Sequence, residues 1–158
     1  MAKVLVTGMS GTGKSSVLRV LAERGHRVVD TDTDAWSEWV EGDWLWDEQA
    51  MAELLAGHER GHLFVAGCRT NQGRFYDRFD AVALLSAPAE VLLARIDARP
   101  DNPYGKSAEE RELVLRHLAE VEPLLRATAT AELDAVAPLE QVADELERIA
   151  ADLRSLRP

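Results

Sequence analysis

The sequence predicts an α/β fold in which a parallel sheet is covered by helices on both faces. Three observations lead there. Short apolar runs alternate with helical patterns along the chain, the first apolar run feeds a glycine-rich loop that opens a helix, and the richest polar loops fall at the carboxyl ends of the apolar runs. A chain of 158 residues with 46% hydrophobic content has material for one domain, residues 1–158, around one sizeable core.

Taken in order, Val4–Gly8 is the first strand and Lys14–Arg24 the first helix, which stops at Gly25. His26–Asp30 is a short second strand, so the chain opens as a βαβ unit. Asp34–Gly57 reads as helical in two pieces broken near Gly42-Asp43, with Leu45, Met51, Leu54 and Leu55 at amphipathic spacing. It predicts a small helical cap over residues 34–60, able to close over a substrate. Thr33 or Asp34 suits the N-cap of a helix beginning at Ala35. His62–Gly67 and Ala81–Ser86 are the third and fourth strands.

Pro88 suits the first turn of a helix running to about Asp97. Arg99-Pro-Asp-Asn-Pro-Tyr-Gly then packs two prolines and a glycine into a mobile loop, a short lid over residues 98–107. Ser107-Ala-Glu-Glu has the capping-box pattern and opens a long helix to about Arg126, with Pro123 placed to bend it or end it early. Ala131–Val136 is a fifth strand, and Leu139, Val142, Leu146, Ile149 and Leu153 mark the apolar stripe of the last helix.

Chemistry enters at the glycine loop. Gly8-Met9-Ser10-Gly11-Thr12-Gly13-Lys14-Ser15 lies between strand and helix with the spacing of a Walker A phosphate cradle. Backbone amides over Gly8, Ser10, Gly11, Thr12, Gly13, Lys14, Ser15 and Ser16 can converge on a polyphosphate. Lys14 can reach its outer phosphates, and Ser15 can offer an oxygen to Mg²⁺.

Asp30-Thr31-Asp32-Thr33-Asp34 ends the second strand at the same sheet edge. Phosphoryl transfer needs a metal to neutralise charge and a carboxylate to orient the accepting hydroxyl, and Asp30, Asp32 and Asp34 offer both. Trp36, Trp39, Trp44 and Trp46 fall within eleven residues. The pair Trp36 and Trp39 shares a helical face, either as core packing or as one wall of a pocket for a planar or sugar-like acceptor. Arg69 and Gln72 follow the third strand, where an arginine can grip a carboxylate or phosphate.

Arg95 and Arg99, four apart at the lid entry, can offset charge on the transferring phosphoryl group, and Lys106 extends that basic arc. The other reading of Arg95 is an ion pair with Glu90 or Asp97. Cys68, the one cysteine, excludes an internal disulfide and reads as a small buried residue behind a strand. The four histidines share no ligand spacing, and Glu109-Glu110-Arg111-Glu112 reads as a solvated face.

Net charge is −10, from 28 acidic and 18 basic residues with no basic run, which disfavours a nucleic-acid or anionic-membrane partner and favours a small molecule. No apolar stretch reaches the ~20 residues of a membrane span, and no signal-peptide pattern opens the chain. The expectation is a cytoplasmic monomer or weak homodimer.

With the glycine loop, the Asp-Thr-Asp turn and the Arg-Ile-Asp-Ala-Arg lid entry, the chain resembles the nucleoside-monophosphate kinase and shikimate kinase group of P-loop kinases over nearly its whole length. The resemblance implies a P-loop NTPase fold with a five-stranded parallel sheet in the order 2-3-1-4-5 and a short lid. It also implies an ATP donor with Mg²⁺, and a nucleobase lodged between Arg95 and the loop at Ala137-Pro138.

By similarity to shikimate kinases, Asp30 assists Mg²⁺ and Asp32 contacts the accepting hydroxyl. By similarity to adenylate kinases, Gly67, Arg69 and Gln72 hold an acceptor nucleotide. Shikimate kinases carry a substrate-holding arginine before proline near the end of the long helix, and here Glu122 occupies that place. Gluconate kinases share the short lid. The resemblance therefore implies phosphoryl transfer from ATP to a small hydroxylated metabolite, with a nucleoside-monophosphate kinase or a nucleotide-binding regulatory protein as the other readings.

Overall fold

The computed structural model describes residues 2–32, 35–100 and 102–155. Five strands, β1 (Lys3–Thr7), β2 (Arg27–Asp30), β5 (Leu63–Ala66), β6 (Ala81–Ser86) and β7 (Ala131–Asp134), form a parallel sheet in the order β2-β5-β1-β6-β7. Numbered along the chain, that is the order 2-3-1-4-5. Two further strands, β3 (Ser37–Val40) and β4 (Asp43–Trp46), stand apart as an antiparallel hairpin. The helices are α1 (Lys14–Glu23), α2 (Glu48–Gly57), α3 (Ala89–Ala98), α4 (Ala108–Glu120), α5 (Glu122–Thr128) and α6 (Leu139–Ser155), with a 3₁₀ segment at Gln72–Arg78.

Strand β1 is buried on both faces, as a central parallel strand must be. Val4 and Val6 look to one side, where Val17, Leu18 and Leu21 of α1 and Val142, Ala143 and Leu146 of α6 complete a core cluster. Leu5 looks to the other, where Met51, Leu54 and Leu55 of α2 pack with Phe75, Phe79 and Trp46. Arg24, at the end of α1, ties the two helices of the first layer together through Glu140, Asp144 and Glu147 of α6, and His26 joins Glu147 at 2.8 Å.

Two elements differ from the sequence expectation. Residues 37–46 form a hairpin instead of a helix, so the region 34–60 holds one helix, α2, rather than two. The two-residue loop Glu41-Gly42 has φ of 52° and 88°, the positive values of a type I′ turn, and its twist joins antiparallel strands. Ser37 and Trp39 on one strand pair with Trp46 and Trp44 on the other, an alternation of period two that the helical spacing of Trp36 and Trp39 conceals. No helix starts at Ala35, which lies in a turn; Thr33 and Asp34, the expected cap, lie outside the described residues.

The expected long helix is broken at Val121, and Pro123 sits in the first turn of α5, where its missing N–H costs nothing. Ser107 caps α4 as expected, its hydroxyl accepting the Glu110 amide at 3.1 Å. Among the described residues no helix is long and apolar enough to cross a membrane.

Candidate active site

Strand β1 delivers the glycine loop to the carboxyl edge of the sheet, and the loop's shape depends on missing side chains. A Cβ on Gly8 would stand 2.6 Å from the Leu85 carbonyl oxygen, and one on Gly11 would stand 2.8 Å from that of Leu92. Gly13, at φ 90°, leads into α1 with no side-chain cap, so the first-turn amides keep their donors for a ligand. Thr12 is buried and closes the loop on itself, its hydroxyl donating to the Met9 carbonyl at 2.9 Å. Lys14 folds over the loop and donates to the carbonyls of Gly8 at 2.6 Å and Met9 at 3.0 Å. Burial there pulls its ammonium below the ordinary lysine pKa, against the pull of Asp32 and Asp30.

The acidic turn meets this loop. The Ser15 hydroxyl donates to Asp30 Oδ2 at 2.6 Å, and the amide of Asp32 donates to Asp30 Oδ1 at 3.1 Å. A hydroxyl and a carboxylate in contact at the start of α1 are the hard oxygen ligands that a phosphate-bound Mg²⁺ takes. Among the described residues no three His, Cys, Asp or Glu side chains gather into a metal cluster of their own.

Asp32 is held from the side, its Oδ1 accepting from Arg69 Nη2 at 2.9 Å. Arg69 also donates to the Cys68 carbonyl at 3.0 Å, and its backbone amide is held by Gln72 Oε1 at 2.9 Å. Gln72 is buried and bonds Thr7 and Tyr76 as well, so it braces the Arg69 turn from behind rather than facing the cleft. Beneath the turn lies a polar knot. The Thr31 hydroxyl donates to the Ala66 carbonyl at 2.8 Å and accepts from the indole of the buried Trp46 at 2.9 Å. The Ser37 hydroxyl donates to the Thr31 carbonyl at 2.6 Å.

On the far side, Arg95 reaches back over the glycine loop. It donates to the carbonyls of Gly11 and Thr12, both at 3.4 Å, and to that of Ala135 at 2.5 Å, joining the loop to the turn before α6. Its expected alternative partner Asp97 binds Arg111 instead, at 2.6 Å.

Two cavities open on this machinery. One, of about 930 Å³, is lined by Ser10, Gly11, Gly13, Lys14, Ser15, Ser16, Arg19, Arg95 and Leu139. The other, of about 810 Å³, is lined by Met9, Cys68, Arg69, Trp39, Trp44, Tyr104, Val114 and His117. Both are also lined by Ser10, Lys14, Asp32, Arg99 and Asn102, so the two chambers meet at the end of the glycine loop.

Several expected residues stand elsewhere. Trp36 packs against the α2 core cluster, and the tryptophans on the cavity are Trp39 and Trp44. Pro138 is exposed at the start of α6, while its neighbour Leu139 lines the cavity with Arg95. The Lys106 ammonium donates to the Arg99 carbonyl. Cys68 is half-buried on the second cavity rather than sealed behind a strand. Asp34 lies outside the described residues.

Glu122 is buried beside Arg126 at 2.8 Å and lines a separate cavity with Ser86 and Glu132. It lines neither of the two cavities at the glycine loop. Asn102 and Tyr104 belong to the Pro/Gly loop and His117 to α4, and no motif in the sequence marks any of the three.

A sequence model described as an AAA domain matches residues 4–116. A nucleotide-binding protein of Deinococcus radiodurans is 31% identical over 132 residues, 76% of this chain, and the chain spans 46% of that relative's length. A shikimate kinase of Rhodopseudomonas palustris is 29% identical over 165 residues, covering 90% of this chain and 77% of its own. Among solved structures, shikimate kinase from Acinetobacter baumannii in complex with shikimate superposes with a TM-score of 0.71 at 20% identity, covering 99% of this chain and 96% of that one.

Proposed function

From a chain that belongs to the AAA domain family and folds as the P-loop kinases of the shikimate kinase group do, we propose an ATP-dependent kinase. It transfers a phosphoryl group to the hydroxyl of a small-molecule acceptor. The observation that carries this reading is the meeting of the two chambers at Lys14, Asp32 and Arg99. A donor chamber alone would serve a nucleotide-binding switch, whereas a second chamber opening on the same lysine and carboxylate serves an acceptor.

The amides from Gly11 to Ser16 and the start of α1 hold the donor's polyphosphate, and Lys14 exchanges the loop carbonyls for phosphate oxygens. Arg95 and Leu139 border the place for the nucleobase. Ser15 and Asp30 would hold Mg²⁺, which when bound neutralises phosphate charge. Arg69 fixes Asp32 through Oδ1 and leaves Oδ2 to accept the hydrogen bond of the acceptor hydroxyl.

That hydroxyl oxygen forms the new bond to the γ-phosphorus, the bond from phosphorus to the bridging oxygen breaks, and ADP leaves with that electron pair. The hydroxyl proton passes to Asp32 and on to solvent. Arg99, on the wall common to both chambers, balances charge on the moving group.

The Asp32–Arg69 pair weighs against a nucleoside-monophosphate acceptor held by Arg69 and Gln72, because one is engaged with Asp32 and the other is turned inward. The second reading, nucleotide binding without turnover, is favoured by Glu122 standing where shikimate kinases carry their substrate-holding arginine.

Incubation with ATP, Mg²⁺ and pooled hydroxylated metabolites, read by mass spectrometry, separates the two. A product heavier by one phosphoryl group, formed by the native chain and lost in Lys14→Ala, is the expected result. Nucleotide binding with no such product would establish the second reading, and transfer at full rate in Lys14→Ala would remove the glycine loop from the mechanism.

A further inference from the structure

We infer that the acceptor carries an aromatic ring, seated against the Trp39–Trp44 pair of the β3–β4 hairpin, at the opposite end from the hydroxyl that Asp32 orients. The inference rests on the kinase reading and names the acceptor class for the same chamber. Its ground is how polar and apolar groups are divided along the wall. The groups common to both chambers, Lys14, Asp32 and Arg99, mark the junction where phosphate is exchanged. Away from that junction the acceptor chamber is lined by Trp39, Trp44, Tyr104 and Val114, with His117 at its side.

Arg69 is the remaining charged group; its two terminal nitrogens hold Asp32 and the Cys68 carbonyl, and its buried Nε has no hydrogen-bond partner. Among the residues this chamber does not share with the donor chamber, the flat rings of Trp39, Trp44 and Tyr104 outnumber the charged groups, and an aromatic body offers them a face of its own. A molecule with a polar, hydroxyl-bearing end and an aromatic body matches both halves.

The hairpin is built to present this surface. Ser37, Trp39, Trp44 and Trp46 share one face through the pairs Ser37 with Trp46 and Trp39 with Trp44. At the base of that face Trp46 is buried and both Trp46 and Ser37 are bonded to Thr31. At its outer end Trp39 is 70% exposed and leans on Trp44 with ring centroids 5.1 Å apart. A two-stranded hairpin rarely stands alone in water, so it is the buried base that holds the two outer rings over the chamber. A large ring kept in solvent beside a cavity is a surface that a flat partner can cover, and stacking on it needs no hydrogen bond.

The test is saturation-transfer NMR on the ADP- and Mg²⁺-bound protein. One set of probes is tyrosol, pyridoxine, 3-phenylpropanol and uridine; the other is shikimate, gluconate, glycerate and methyl glucoside. At least one aromatic alcohol is expected to bind with saturation strongest at its ring protons. Trp39→Ala and Trp44→Ala should each weaken it about tenfold, close to 1.4 kcal/mol, Trp39→Phe should recover most of the loss, and ADP affinity should not change. Trp39 is exposed, so its truncation leaves the fold intact as judged by circular dichroism. Stronger binding by the polyol set, aromatic affinities unmoved by either alanine, or no aromatic binder at all would each overturn the inference. Failure of ADP itself to bind would instead overturn the kinase reading.

Discussion

Thr31→Val replaces a hydroxyl by a methyl of nearly the same shape at a position with no solvent exposure. The Thr31 hydroxyl has two bonds to lose, one donated to the Ala66 carbonyl at 2.8 Å and one accepted from the Trp46 indole at 2.9 Å. The first loss is mild, because Ala66 still accepts the Thr31 amide at 3.0 Å, and a net bond of this kind is worth about 1 kcal/mol. The second strands an indole N–H inside a fully buried tryptophan, at about 1–3 kcal/mol. The sum is about 2–4 kcal/mol, or a fall in Tm of roughly 4–16 °C for a domain of this size.

Urea unfolding followed by far-ultraviolet circular dichroism reads the free energy directly. Trp46→Phe combined with Thr31→Val completes a cycle. With both partners gone, no donor is stranded, and the double variant should cost about 1–2 kcal/mol less than the two singles added. A Thr31→Val cost under about 0.5 kcal/mol, or strict additivity in the cycle, would refute the assignment of the knot as the anchor of the hairpin.

Gly11→Ala puts a Cβ 2.8 Å from the Leu92 carbonyl at a φ of 87°, so ADP affinity measured by calorimetry should fall more than tenfold while the chain still unfolds cooperatively. Asp32→Asn keeps the shape but accepts a proton poorly, and kcat for phosphoryl transfer should fall by about 10²–10⁴, read in a coupled ADP-release assay. The Glu147 carboxyl is held below the ordinary carboxylate pKa, first by the His26 bond and then by Arg24. Its contribution to stability is therefore present above the unfolded carboxylate pKa and lost as pH falls through the lower folded value. Urea titrations between pH 6 and pH 3 should show a shallower loss in Glu147→Gln than in the native chain.

The sheet was legible because each of its strands is a short apolar run at a distinct place in the chain, and burial on both faces of a central parallel strand forces that composition. The order of the strands came with the family resemblance, since apolar runs carry no record of which neighbour they pair with. The hairpin was illegible for a local reason. Trp36 and Trp39 are three apart and Trp36, Trp39, Trp44 and Trp46 are dense, so helical and extended periods both fit a few residues, and Glu41 is an unusual residue at the positive φ of a type I′ turn.

Gln72 shows a different limit. Polar residues after a strand at the active edge are candidates for ligand contact, but whether one faces the cleft depends on the Thr7 and Tyr76 oxygens behind it, 65 and 4 positions away. Ser15 and Asp30 were separately legible as oxygen donors, and only the register of β1, β5 and β2 brings them to 2.6 Å.

The same register ties the walls of the two chambers together in this chain. Thr31 links β2 to β5 through the Ala66 carbonyl, links both to the hairpin through Trp46 and Ser37, and lies between Asp30, which touches Ser15, and Asp32, which touches Arg69. A displacement of the hairpin therefore cannot leave the carboxylates untouched, since it moves the residue that spaces them. Gly67 enforces this from the other side, because a Cβ there would stand 2.1 Å from the Thr31 hydroxyl oxygen. Gly67→Ala should accordingly disturb both chambers at once. Loss of ADP affinity together with loss of the hairpin's tryptophan fluorescence signature is the expected outcome, and a change confined to one of them would show that the chambers are mechanically independent.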